Sequence, residues 1–295
     1  MTFVLKINDT SYPDCLRHVY RPPVKLFVKG DLSAFDRTLI AFVGTRKNSS
    51  YGEYAVNKLI SELSCFNISV VSGLALGIDT LSHKAAIKYG LPTIAVLGTG
   101  IDNIYPSTNQ NLANEIVRNH GLVISEYDGD SPPLNFHFPE RNRIVAGMCV
   151  ATVVIEAPES SGALITAKLA NENGRDVFAV PADIDRKESF GCNKLISDLI
   201  ARPALNGLSI IKEMIKQPEL IRPISSNGSA IDILPSDMNC LSIMKVINRT
   251  RPKSAEQISI ESRLDLVDTI KALSLLELNS MVKTTQFGLY IKSSP

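Results

Sequence analysis

Residues 38–90 read TLIAFVGTRKNSSYGEYAVNKLISELSCFNISVVSGLALGIDTLSHKAAIKYG. An unbroken apolar run, Leu39–Val43, leads into a polar, glycine-bearing turn and then a helical stretch, Glu53–Leu63. The unit repeats at once with Ile68–Val71, a second such turn and Leu81–Tyr89. Farther along, Thr93–Val96, Leu122–Ile124, Thr152–Ile155 and Val177–Val180 are further β-rich runs, separated by the helical stretches Asn109–Arg118, Asn142–Cys149 and Ala163–Asn173. Strands that are apolar throughout, and that alternate with helices, are what a parallel sheet covered on both faces requires. The pattern predicts a doubly wound α/β domain over residues 36–215. Ligands of such sheets bind at the carboxyl ends of the strands, so the turns after each run are where function is to be sought.

The rest of the chain fits around that domain. With 295 residues there is room for one large unit and a smaller appendage. Residues 1–35 are expected as an amino-terminal extension packed on the core. Residues 216–236 read as a linker, with prolines at 218, 223 and 235 and a Ser-Ser-Asn-Gly-Ser run. Residues 237–295 show three helical stretches, Cys240–Asn248, Ser254–Ile260 and Leu264–Leu276, and two short strands within Met281–Lys292 around Gln286, Phe287 and Gly288. That order suggests a small winged-helix domain. Its eight Lys or Arg against six Asp or Glu leave DNA contact and protein contact both open.

Composition excludes several classes. A net charge of +1 rules out a histone-like basic binder, so any nucleic-acid site is local. The longest apolar runs fall far short of the ~20 residues a membrane span needs. The amino terminus lacks the features of a secretion signal, which leaves the cytoplasm as the expected compartment. The five cysteines, Cys15, Cys65, Cys149, Cys192 and Cys240, are scattered without a CxxC and read as reduced, mostly buried small hydrophobes.

The turns themselves suit phosphate. Gly44–Gly52 sets small residues, hydroxyls and Arg46 at a helix amino terminus, where amides, the helix dipole and a guanidinium favour an anion. Ser72–Asp79, Gly98–Gly100 and Ser160–Gly162 add three more glycine-bearing turns. For any one of these loops, the plainer reading is that glycine merely permits a tight turn. No GxGxxG and no GxxxxGK[ST] is present, and His18, His83, His120 and His137 are too scattered for a zinc or nucleophile signature. Asp79 and Glu156, near strand ends, could form an acid/base pair, or equally cap a helix or hold an arginine.

The most specific segment is His137–Val145, HFPERNRIV. Together with GTRKNSSYG, SGLALGIDTLSHKAA, TIAVLGTGIDNIYP, VVIEAPESSGALITAKLA and GRDVFAVP, it makes the chain resemble the DNA-processing protein A family (DprA, also called Smf) over about residues 9–200. The resemblance implies an extended Rossmann-like domain followed by the winged helix, without the helical amino-terminal domain of many relatives. It also implies a non-enzymatic protein without cofactor or metal. Such a protein binds single-stranded DNA regardless of sequence, loads the RecA recombinase onto it during natural transformation, and forms a homodimer. In that role Arg46, with Ser49 and Ser50, suits the clamping of one backbone phosphate. The backbone of Gly73, Leu74 and Ala75, of Gly98 and Thr99, and of Ser161 and Gly162 suits others. Phe138 is placed to stack on a base or to fill the core. Arg141 and Arg143 are placed to reach phosphates or to lock the loop through buried pairs. The chain departs from the family at Leu76 and Asn135, where basic residues are common, and at Ala182 and near Leu199, where glycines are customary. The last two fall in the region that resembles the family's self-association and recombinase-binding surface.

Two other classes stay in view. Related Rossmann-like phosphoribohydrolases cleave nucleoside monophosphates, but they carry a PGGxGTxxE-type loop where this chain has Ala157–Gly162. An interaction scaffold with a vestigial phosphate rim is the third reading.

Overall fold

The computed structural model describes residues 2–214, 238–248, 251–278, 281–285 and 288–292. The chain divides into two compact units, Met1–Arg222 and Pro223–Pro295. The linker expected at 216–236, and Gln286 and Phe287 of the expected hairpin, lie outside the described residues.

In the larger unit the strands are β1 (Thr2–Lys6), β2 (Lys25–Gly30), β3 (Thr38–Val43), β4 (Ile68–Ser72), β5 (Thr93–Gly100), β6 (Leu122–Tyr127), β7 (Ala151–Val154), β8 (Asp176–Ala179) and β9 (Arg202–Pro203). The helices are α1 (Asp14–Arg17), α2 (Ser50–Leu63), α3 (Ile78–Lys88), α4 (Gln110–Arg118), α5 (His137–Met148), α6 (Gly162–Glu172), α7 (Phe190–Ser197) and α8 (Gly207–Met214). Among the described residues the strands form one sheet in the order β1-β2-β6-β5-β4-β3-β7-β8-β9. From β6 to β9 every neighbouring pair is parallel. This is the expected Rossmann-like, doubly wound α/β architecture. Every residue of β3, β4 and β5 is buried, as a sheet covered on both faces demands.

Residues 1–35 do more than pack on the core. β1 and β2 join the sheet, with β2 antiparallel to β6 through Phe27↔Ser125 to Gly30↔Leu122. Two further boundaries shift the site. β5 runs on through Gly98 and Thr99 to Gly100, so these residues lie in a strand and not in the turn after it. A bulge between Leu97 and Gly100 keeps the strand paired to β6. α5 begins at His137, five residues before the expected Asn142. Its Pro139 falls in the first turn, where a missing N–H leaves no helical bond unmade.

The smaller unit holds α9 (Met238–Val246), α10 (Ala255–Ser262), α11 (Leu266–Leu278) and an antiparallel pair, β10 (Val282–Thr284) and β11 (Tyr290–Lys292). Its own core gathers Ile243, Ile247, Ile258, Leu273, Leu276 and Val282. α10 opens with a reciprocal cap, Ser254 with Gln257. Among the described residues, no helix is long and apolar enough to cross a membrane.

Candidate nucleic-acid interface

From β3 the chain builds outward through β4, β5 and β6, then returns to place β7 on the other side of β3. The order of strands reverses there, and the turns after β3 and β7 diverge to leave a crevice. A cleft of about 580 Å³ opens at this point, lined by the turns after β3, β4 and β7 and by the start of α5. Arg46, Gly73, Ala75, Phe138, Arg141, Ser161 and Gly162, all singled out from sequence, converge on it. So do Lys47, Tyr105 and Asn135, which the sequence reading had not assigned to the site. Tyr105 follows β5 in the chain and reaches the cleft only because its loop folds back beside α5. No local pattern signals that.

The aromatic and cationic groups touch one another. The Arg46 guanidinium sits 5.6 Å from the centroid of the Phe138 ring, and Tyr105 stands 5.7 Å away on a tilted plane. Phe138 is half-buried and packs over Gly98, where a Cβ would come within 3.0 Å of the ring. Gly98 therefore serves the site by letting an aromatic ring close on the strand. Arg46 and Lys47 are exposed, and neither forms an ion pair with a described carboxylate.

The expected rim of open helix amino termini is largely closed by the protein's own carboxylates. Glu156, wholly buried, accepts the Ser49 amide at 2.7 Å and the Ser49 hydroxyl at 2.6 Å. That hydroxyl also caps α2 by accepting the Gly52 amide, so both of its hydrogen-bonding roles are taken. Ser49 thus faces inward, and Ser50, the first residue of α2, is outside the cleft lining. In the turn after β4, Asp79 accepts the amides of Gly73 and Ala75 at 3.2 and 3.3 Å. Leu74 between them buries its side chain in the core with φ of 56°, its carbonyl held by Asn109. These amides are not free to hold phosphate. At α6 the Ser161 amide closes a turn onto the Pro158 carbonyl, and its hydroxyl accepts the Ala163 amide. Gly162 stands exposed beside it, and no described carboxylate caps this helix.

The two arginines of α5 lock loops. Arg141 is buried and donates to the carbonyls of Gly73 and Val96, and its guanidinium lies where a Cβ on Gly73 would be. Only glycine allows that approach. Burial pushes the Asp79 carboxyl up, while Arg141 and the Ala75 and Gly73 amides pull it down. Arg143 lies off the cleft: it donates to both oxygens of Glu126, at 2.7 and 2.5 Å, and to the Arg21 carbonyl. Thr99, buried in β5, donates its hydroxyl to the Asn103 carbonyl. Asp79 and Glu156 are thus loop-holding groups. His83 is buried against Thr93 on α3 and His137 under Tyr127 on α5, neither of them lining the cleft. Among the described residues, no cluster of His, Cys, Asp or Glu suits a metal ion.

The fold and the cleft define a class: a Rossmann-like α/β domain whose switch-point crevice offers two exposed cations and aromatic rings. Comparison with known proteins narrows it. The sequence profile described as DNA recombination-mediator protein A matches residues 3–215, and the chain belongs to that family. It is 47% identical over 192 residues to "DNA processing protein DprA" of Streptococcus pneumoniae, covering 65% of this chain and 67% of that one. It is 41% identical to the Bacillus subtilis protein of the same name, over 65% of each. The X-ray structure of the Streptococcus protein superposes with a TM-score of 0.68 at 44% identity, over 71% of this chain and 73% of that one. A Helicobacter pylori DNA processing protein A, whose structure is described as revealing its single-stranded DNA binding mode, superposes with a TM-score of 0.66 at 30% identity, over 73% of this chain and 96% of that one. The chain spans about two thirds of the length of the curated relatives it matches.

Proposed function

We propose that this chain binds single-stranded DNA without sequence preference in the switch-point cleft and hands it to the RecA recombinase during DNA uptake in the cytoplasm. The observation that carries the reading is the contact of Arg46 with Phe138 in a cleft that also holds Lys47 and the exposed Gly162 at the start of α6. A phosphate and its base need a cation and a ring side by side, and every base has a π-face, so such a site tolerates any sequence. The family membership and the single-strand binding described for the Helicobacter relative support it. The protein acts as a binder and not as an enzyme, since the carboxylates at the strand ends are occupied in holding loops. Exposed Ile184, Leu199 and Leu205 near α7 suit a homodimer contact. The smaller unit, read as a winged helix, suits protein contact over duplex DNA. Its α11 exposes Leu266, Val267 and Ile270 beside the Asp268–Lys271 pair, and a duplex-reading helix needs donors and cations there.

The test is a titration of a fluorescent single strand of about thirty nucleotides, and of the matching duplex, by anisotropy at several salt concentrations. Salt-sensitive preference for the single strand is expected, with Arg46→Ala lowering the salt slope by about 0.7 while melting unchanged. No binding at low salt would sink the reading, and turnover of nucleoside monophosphates to free base would replace it with an enzyme.

A further inference from the structure

Phe136 lies outside the cleft and has no part in the site as described, yet it is built like a binding surface. The residue is 60% exposed and precedes the first turn of α5. An exposed aromatic is ordinary by itself; this one is held in place. The ring stands edge-on to His137, with centroids 4.6 Å apart. His137 is buried and stacked on Tyr127 at 3.8 Å, and the Tyr127 hydroxyl donates to Glu140 at 2.8 Å. A ring that is fixed by neighbours while left open to water loses little freedom when something stacks on it. Its position in the chain joins it to the cleft: Asn135, one residue before, and Phe138, two residues after, both line it. The loop thus sends one aromatic inward, beside Arg46 and Tyr105, and one outward, on the His137–Tyr127 stack.

We infer that Phe136 is a second stacking platform, which takes a base of the strand after it leaves the cleft. The inference rests on the single-strand reading above and extends the footprint beyond the cleft. The charges beside this stack are the Glu140 carboxylate and, next to Tyr127, an Arg143 already paired with both oxygens of Glu126, so the contact is with a base and not with a phosphate. Losing it therefore changes affinity without changing the salt slope, which is the reverse of losing Arg46.

The experiment uses the full chain as wild type, Phe136→Ala, Phe136→Leu and Phe136→Trp. Each is titrated with fluorescent oligothymidylates from about four to about thirty nucleotides, and with a long strand carrying 2-aminopurine, whose fluorescence falls on stacking. Phe136→Ala is expected to weaken the long strands by about fivefold or more, leave the shortest unaffected, keep the salt slope and lose part of the 2-aminopurine quench. Trp restores binding and Leu does not. Equal affinity of wild type and Phe136→Ala at every length overturns the platform while leaving the cleft reading standing, as does an equal loss at all lengths with a lowered melting temperature. A wild type that binds no single strand removes both.

Discussion

Leu199 holds a backbone conformation that side chains resist. Its φ is 56°, just past the end of α7, and the residue is 92% exposed. A non-glycine residue in this region costs on the order of 1 kcal/mol. A large apolar group that keeps such a place while facing water suits the homodimer contact proposed above. The sequence marks the position too, since the family resemblance implies a glycine near it. What the structure adds is that leucine adopts glycine's conformation instead of changing the turn. Leu199→Gly is expected to leave unfolding free energy within about 1 kcal/mol, since relief of strain is offset by added freedom of the unfolded chain. It is expected to weaken self-association measurably by sedimentation equilibrium. An unchanged dimer constant would move the homodimer contact elsewhere on the molecule.

The elements that make the cleft are loops tied down from behind. In the turn after β4, Asp79 gathers two amides and Arg141 gathers two carbonyls, one from that turn and one from β5. The guanidinium acts as a pin that sets the cleft floor, with its charge balanced by a carboxylate it never has to meet in water. Removing one member of such a buried set leaves the other uncompensated, at a cost of about 3 kcal/mol or more. Arg141→Met is thus expected to lower the urea midpoint strongly. In the fraction still folded, the salt slope of single-strand binding should match wild type, because this guanidinium neutralises no phosphate. A variant that kept full stability and lost about 0.7 from the slope would return Arg141 to the list of phosphate contacts. The same logic explains why these turns looked like phosphate sites in sequence. Their amides do seek oxygen acceptors, and Glu156 at the start of α2 and Asp79 in the turn before α3 supply them from within the protein.

At the scale of the whole molecule, stability answers to pH through His83. Its ring is buried between α3 and β5 and bonds to the Thr93 hydroxyl at 2.7 Å. Burial, with a smaller push from Arg141, drives its pKa down to about 3 from the ordinary 6.5. The folded protein therefore keeps the ring neutral while the unfolded chain protonates it. Stability from this group is complete above pH 6.5 and is lost as pH falls from there toward 3, by up to about 1.4 kcal/mol per pH unit. Asp79, raised by burial, works in the opposite sense, so the comparison that isolates His83 is between two proteins that both keep Asp79. Urea unfolding between pH 6.5 and pH 4 should fall less steeply for His83→Gln than for wild type, by close to one proton. Parallel curves would mean that the ring is already protonated, or reached by water, in the folded state.

The alternation of apolar runs and helical stretches was enough to specify the parallel sheet and its helices, because those depend on periodicity within a few residues. Arg46 was picked out by its place in a polar turn and Phe138 by the family resemblance, and the structure brings the two together in the cleft. The division of the remaining polar groups between holding the fold and meeting the ligand was decided only in three dimensions. Ser49 and Glu156 are 107 positions apart and Arg141 and Gly73 are 68 apart, and no local pattern reports that they meet. An amide or a guanidinium looks the same in sequence whether it faces water or a buried carboxylate. Which of the two it faces is settled by the packing of distant strands, and so is its power to bind an anion.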